Sequence, residues 1–92
     1  MEQFLKRLME LPLGYSEGHY NNRRYGTTLS VSADGKRRKL YAEELGGSDH
    51  ISFNLYFLDA GNPLLKPCEM PAQKVIDFVL GYAPETAIGP SD

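Results

Sequence analysis

The sequence predicts an α+β fold: a two-layer sandwich in which an N-terminal and a C-terminal helix pack on one face of an antiparallel meander of four or five strands. Three observations carry this. Apolar residues recur at helical spacing near both ends of the chain, and runs of alternating character fill the middle. Asn-Asn, Asp-Gly and Gly-Gly pairs separate those runs.

Residues 2–11 place Phe4, Leu5, Leu8 and Leu11 on one side of a helix, with Lys6, Arg7 and Glu10 around the rest of the cylinder. About ten residues are marginal as an isolated helix, so its stability must come from docking that stripe. Pro12 and Gly14 end it. Residues 15–20 alternate weakly, but Asn21-Asn22 tolerates the positive φ of a tight turn, which makes this segment an edge strand hairpinned to the next. In residues 25–32, Tyr25, Thr27, Leu29 and Val31 share one face, while Gly26, Thr28, Ser30 and Ser32 share the other.

Asp34-Gly35 then signals a hairpin, and a two-residue loop there sets Leu29 opposite Leu40. Residues 39–58 form the next hairpin around Gly46-Gly47. Its second arm puts Ile51, Phe53, Leu55 and Phe57 on one face, and Ser52, Asn54 and Tyr56 on the other. A two-residue loop at Gly46-Gly47 sets Leu40 opposite Phe53, so both hairpins send their apolar residues to one side without a parity shift. The same register puts Arg38 beside Val31 on that side, at the rim, with its charged end reaching water. Residues 59–62 read as a turn, and 63–66 as a short edge strand. Pro71 opens a second helix to about Leu80, with Ala72, Val75, Ile76 and Val79 on one side and Gly81 as its cap. Residues 1–82 then make one domain, and residues 83–92, with two prolines and no stripe, a flexible C-terminal tail.

Ninety-two residues with 41% hydrophobic content and 24% charge fit one small core. So short a chain leaves much surface in water, and covering an apolar face with a second subunit would be worthwhile. The net charge of −2 gives no overall pull toward phosphate backbones or anionic lipid. The single cysteine, Cys68, excludes an internal disulfide and fits a reducing compartment. Neither a signal-peptide core nor a membrane span is present, so a cytoplasmic location is expected.

The outward face is the candidate site. Its cross-strand rows are Tyr15, Thr28, Tyr41 and Ser52; then Ser30, Lys39 and Asn54; then Ser32, Arg37 and Tyr56. Basic and aromatic sheet faces stack bases in several single-strand binding modules. Ordinary solvated cross-strand pairs, or a face covered by a protein partner, fit the same residues. Glu17, Glu43 and Glu44 lie close enough to dilute attraction for phosphate, which weighs against nucleic acid. The run Lys36-Arg37-Arg38-Lys39 alternates between faces and makes no single patch. Cys68, four residues before Ala72, could have its thiolate stabilised by a helix N-terminus, but Glu69 adds a negative charge beside it. His50 faces Glu43 across a hairpin, and His19 stands beside Tyr20 with no third ligand in view, so with one cysteine and two scattered histidines no metal is expected. No phosphate loop, dinucleotide fingerprint, paired catalytic carboxylates or serine elbow appears, and no cofactor is implied.

Arg23-Arg24-Tyr25-Gly26, Ala42-Glu43-Glu44-Leu45-Gly46-Gly47 and Leu65-Lys66-Pro67-Cys68-Glu69-Met70-Pro71, together spanning most of the chain, resemble a group of short bacterial proteins of unknown function. Some members of that group carry the label peptide methionine sulfoxide reductase. The A-type reductases use a Gly-Cys-Phe-Trp motif, whereas this chain has no tryptophan and flanks Cys68 with Pro67 and Glu69. The B-type reductases often pair zinc-binding cysteines, which a single cysteine cannot do. The resemblance therefore implies a shared fold and carries over no catalytic residue.

The expected function is a cytoplasmic interaction or binding module, self-associating or docked on a protein partner through Arg37, Lys39, Tyr41, Asn54 and Tyr56. A thiol-dependent enzyme centred on Cys68, such as a methionine sulfoxide reductase-like activity, and a weak single-stranded nucleic-acid binder are the alternatives.

Overall fold

A computed structural model describes residues 1–58 and 62–85. In chain order the elements are α1 (Glu2–Glu10), β1 (Gly14–Tyr20), β2 (Arg23–Val31), β3 (Arg37–Glu44), β4 (His50–Tyr56), β5 (Leu64–Pro67), α2 (Ala72–Gly81) and β6 (Ala83–Pro84). The strands form one antiparallel sheet in the order β5-β4-β3-β2-β1-β6, so the first five run as a meander. After β5 the chain must return to the opposite edge, and α2 makes that crossing. A ten-residue helix is about 15 Å long, and the segments at its two ends cover the rest of the ~24 Å, five strand spacings, between β5 and β6.

Each expected register is present: Tyr15 opposite Thr28, Leu29 opposite Leu40, and Leu40 opposite Phe53. The loops are not all as short as expected. At Asn21-Asn22 a two-residue turn forms, with φ of 55° and 65° at the two asparagines. The other two hairpins close on Ser32–Arg37 and Glu44–Asp49, whose backbone N–H···O bonds are both 2.8 Å, and so contain four loop residues each. A two-residue hairpin turn needs positive φ at both central positions in type I′ and at the first in type II′, and Asp34 lacks it. Here only Gly35 and Gly46 adopt it. The carboxylate of Asp34 instead accepts from Ser32 Oγ (2.6 Å) and the Lys36 N–H (2.9 Å), which widens the turn. Growing a loop by one residue on each side leaves the pairing sum unchanged, so the registers survive the correction.

The strand count also departs from four or five. Ala83 and Pro84, where the tail was expected to begin, pair with His19 and Gly18 of β1, and the N–H of Glu85 donates to the carbonyl of Glu17 (2.8 Å). Two residues are too few to show periodicity, so β6 leaves no pattern to read. Its partner does leave a trace: a Cβ at Gly18 would stand 2.7 Å from Pro84 Cα and 2.8 Å from Tyr82 Cε1, so this approach requires glycine. Residues 86–92 of the expected tail, and 59–61 of the expected turn, lie outside the described residues.

Both helices bury their stripes on the same side of the sheet. Phe4 and Leu8 of α1 and Leu11 beyond it join Val75, Phe78 and Val79 of α2 in one core with Leu29, Leu40, Phe53 and Leu55. The stripe of α2 is rotated from the expected one: Phe78 is fully buried, Ala72 is exposed and Ile76 is half-buried. The rotation follows from aromatic packing. Phe78 sits 5.0 Å from the ring of Tyr20, 5.2 Å from Tyr25 and 5.0 Å from Tyr82, an arrangement favoured by ring quadrupoles over aliphatic contact. Gly81 is the last helical residue and Tyr82 the cap, its N–H donating to the Phe78 carbonyl. Arg38 lies half-buried between Val31 and Leu55, as its rim position requires. No helix among the described residues is long and apolar enough to cross a membrane.

Candidate functional site

With both helices on one side, the opposite face of β1 to β5 carries no covering element among the described residues. Alternation sends Tyr15, Glu17 and His19 of β1, Arg24, Gly26, Thr28 and Ser30 of β2, and Arg37, Lys39, Tyr41 and Glu43 of β3 to this face. From β4 and β5 it receives His50, Ser52, Asn54, Tyr56, Leu64 and Lys66. The structure thus brings Arg37, Lys39, Tyr41, Asn54 and Tyr56 together as expected. Lys39 pairs with Asn54 and Arg37 with Tyr56. Tyr41 is 43% exposed, and Tyr56 and Asn54 are half-buried among their neighbours.

Lys66 is the residue that the sequence reading missed. It extends the row of Ser30, Lys39 and Asn54 by one strand, because Asn54 pairs with Lys66 across β4 and β5. Setting β5 in register from Leu64, with Leu65 and Pro67 placed toward the core side, would have found it. Leu64 likewise extends the row of Arg37 and Tyr56.

The face is electrically divided. At the end near β6, Arg24 donates to Glu17 (2.6 Å) and to Glu85 (2.6 Å), and His19 lies 3.9 Å from Glu85. Tyr15 donates to Glu17 (2.9 Å), which together with the carboxylate's charge holds its phenol above the ordinary tyrosine value. Its ring lies across Gly26: a Cβ there would stand 2.5 Å from the Tyr15 oxygen and 3.1 Å from Cε1. At the other end, Arg37, Lys39 and Lys66 meet no carboxylate within ion-pair distance among the described residues. Glu43, three rows from Arg37 on the same strand with Gly26 and His50 as lateral neighbours, likewise makes no ion pair among the described residues. Asn54 Oδ1 is sheltered from water and has no hydrogen-bond partner among the described residues.

The remaining candidates are not assembled into a site. Cys68 is half-buried just past β5, with its N–H donating to the Ser52 carbonyl (2.9 Å), and no hydrogen bond to its sulfur is found among the described residues. His19 stands beside Glu85, and His50 has its ring 6.5 Å from that of Tyr41. No group of three or more metal-binding side chains occurs among the described residues. A polar cluster that the sequence did not announce joins β2, the β3–β4 loop and α2: Tyr25 donates to Asp49 Oδ2 (2.7 Å) and Lys74 Nζ to Asp49 Oδ1 (2.7 Å). Lys74, then Tyr25, hold the Asp49 carboxyl below its ordinary value, while burial and Asp49 push the Tyr25 phenol up to about 12. With every partner satisfied inside the fold, this cluster ties the layers together.

No protein-family model, curated protein or solved structure matches this chain.

Proposed function

We propose that this protein is a small binding module that works in the cytoplasm and recognises a protein partner through the uncovered sheet face. One observation carries the reading: α1 and α2 both pack on the other side, which leaves Tyr41 exposed beside three cations, Arg37, Lys39 and Lys66, that have no ion-pair partner among the described residues. Tyrosine and arginine on a flat surface are the side chains that most often dominate protein interfaces. A lone half-buried thiol with no hydrogen-bonded imidazole gives the Cys68 enzyme reading no comparable support.

The test is site-specific photo-crosslinking in living cells, with a photoreactive phenylalanine analogue replacing Tyr41 or Tyr56 and, as controls, Lys6 on α1 or Leu80 on α2. Discrete protein adducts from the two sheet positions are expected. Adducts confined to the helix positions, or none at any position, would overturn the reading.

A further inference from the structure

Resting on that reading of the outer face, we propose that its occupant is a second copy of this chain, stacked face to face about a twofold axis that passes over Tyr41. The central strand of this face is complementary in charge to a reversed copy of itself. On β3, Lys39 and Glu43 flank Tyr41 at equal distances, two residues to either side, and all three project outward. Neither charge lies within ion-pair distance of an opposite one among the described residues. Lys39 stands between Ser30 and Asn54, and Glu43 between Gly26 and His50, so no directly opposite side chain carries a fixed opposite charge, and Arg24, diagonal to Glu43, is held by Glu17 and Glu85.

A twofold axis lying in the plane of the interface and across the strands runs the second β3 antiparallel over the first. Tyr41 then meets Tyr41 of the other copy, and each Lys39 meets the other copy's Glu43. Any isologous contact requires such reciprocity: if one residue touches another, the reverse contact must also form. The alternative axis, along the strands, would set lysine against lysine, so the charges choose between the two arrangements.

The same operation has a second consequence that no charge was used to derive. On β4 it maps Ser52 onto itself and Asn54 onto His50 of the other copy. That pairing sets a half-buried amide against an imidazole ring, polar group against polar group. Packed sheets lie ~10 Å apart and cross at ~30°, which displaces residues ~7 Å from the centre by about 3.5 Å, within reach of lysine and glutamate side chains. Five strands and five rows cover at most roughly 800 Å² in projection, about the ~800 Å² per partner of a standard interface, and with charged pairs in place of an apolar centre the dimer is weak and salt-sensitive.

Sedimentation velocity on the full chain up to about 1 mM, at low and high salt, tests this with charge exchange. Wild type should dimerise at low salt, and Lys39→Glu or Glu43→Lys alone should each weaken the dimer at least about tenfold, because each sets two like pairs face to face. An equimolar mixture of the two single variants should form a heterodimer within about threefold of wild-type affinity, since both contacts are again opposite in charge. The double variant, with both changes in one chain, should recover the homodimer in the same way. Both positions are exposed, and amide spectra of each variant report that the fold is intact. A wild type that stays monomeric at 1 mM, or single variants that fail to complement when mixed, would overturn the proposal. If sheet-position crosslinks then capture a different protein, the binding-face reading stands without the self-association. If the dimer forms but crosslinks only through α1 or α2, both readings fall.

Discussion

Three of the six tyrosines lie between the sheet and the helices, and three lie on the bare face of the same sheet. Inside, Tyr25 is 1% exposed, packs edge-on to Tyr20 and Phe78, and donates to Asp49. Tyr82 stacks on Phe78 and shares a hydrogen bond with Ser16 (3.0 Å), while its carbonyl accepts from Arg7 of α1 (2.6 Å). Outside, Tyr15 is 60% and Tyr41 43% exposed, and among the described residues only Tyr15 of the three makes a side-chain hydrogen bond to its own chain. The same side chain therefore serves as a structural joint on one side and stands available on the other. The difference teaches that residue type does not decide its use; what decides it is which face the register gives the ring, and whether other rings or polar groups of the fold close around it.

Phe78 should break the comparison most strongly, because three aromatic rings converge on it. Phe78→Ala leaves a cavity between α2 and β2 and should cost about 3–5 kcal/mol, a large part of the roughly 5–14 kcal/mol expected for a chain of this length. Urea unfolding followed by circular dichroism measures it. Tyr41→Ala in the same assay, at a concentration where the chain is monomeric, should shift stability by no more than about 0.5 kcal/mol. Equal losses would mean that the outer tyrosine is structural too.

A smaller effect is expected at the joint between the inner tyrosines and α2. Asp49→Ala leaves the buried Tyr25 hydroxyl without its acceptor and should cost about 1–3 kcal/mol. Asp49→Asn keeps an acceptor for Tyr25 but loses the charge that faces Lys74, so it should cost less. The pH dependence separates the two contributions. The folded carboxyl is held below its ordinary 3.8, so the stability that its charge contributes is fully present above that value and is lost as pH falls through the lower, folded one. The advantage of wild type over Asp49→Asn should thus be constant from neutral pH to about 5 and shrink below about 4. For Tyr25, raised from 10.0 to about 12, the sign is opposite: its contribution is present below 10 and disappears between 10 and 12. Denaturation curves at pH 7, 4 and 3 read the first limb, and an advantage that grows in acid would contradict the assignment.

How much of this was legible follows from where the signal resides. The registers of β1 to β4 could be read because alternation and turn position both constrain them, and Leu29, Leu40 and Phe53 agree only in one alignment. The outer rows holding Lys39, Tyr41 and Asn54 come with the register at no further assumption. β6 could not be read, since two residues carry no period. The rotation of α2 toward Phe78 depends on Tyr20 and Tyr82, which lie in other elements, and Asp49 joins Tyr25 and Lys74 across separations of 24 and 25 residues. Contacts of that range leave no local pattern; they exist only once the sheet and helix are packed. The division of charge on the face lies between these cases. Its cations and carboxylates are visible in β3, but whether Arg24 is spent on Glu17 and Glu85 depends on β6 bringing Glu85 alongside.

The finest test concerns Tyr15, the outer residue that behaves most like an inner one. Its ring fills the place that a side chain at position 26 would occupy, so Gly26 and Tyr15 should be coupled. Glycine in a strand is disfavoured relative to alanine by roughly 0.5–1 kcal/mol, and taken alone Gly26→Ala would be stabilising. With Tyr15 in place, however, the new Cβ would stand 2.5 Å from the phenol oxygen, and the ring must leave Gly26 and its bond to Glu17 to make room. The substitution should therefore destabilise wild type and stabilise the Tyr15→Ala background, a reversal of sign that a double-mutant cycle detects even when each single effect is small. A cycle that closes with no coupling would show that the ring does not rest on Gly26, and Tyr15 would then belong with Tyr41 and Tyr56 among the side chains that the fold leaves free for a partner.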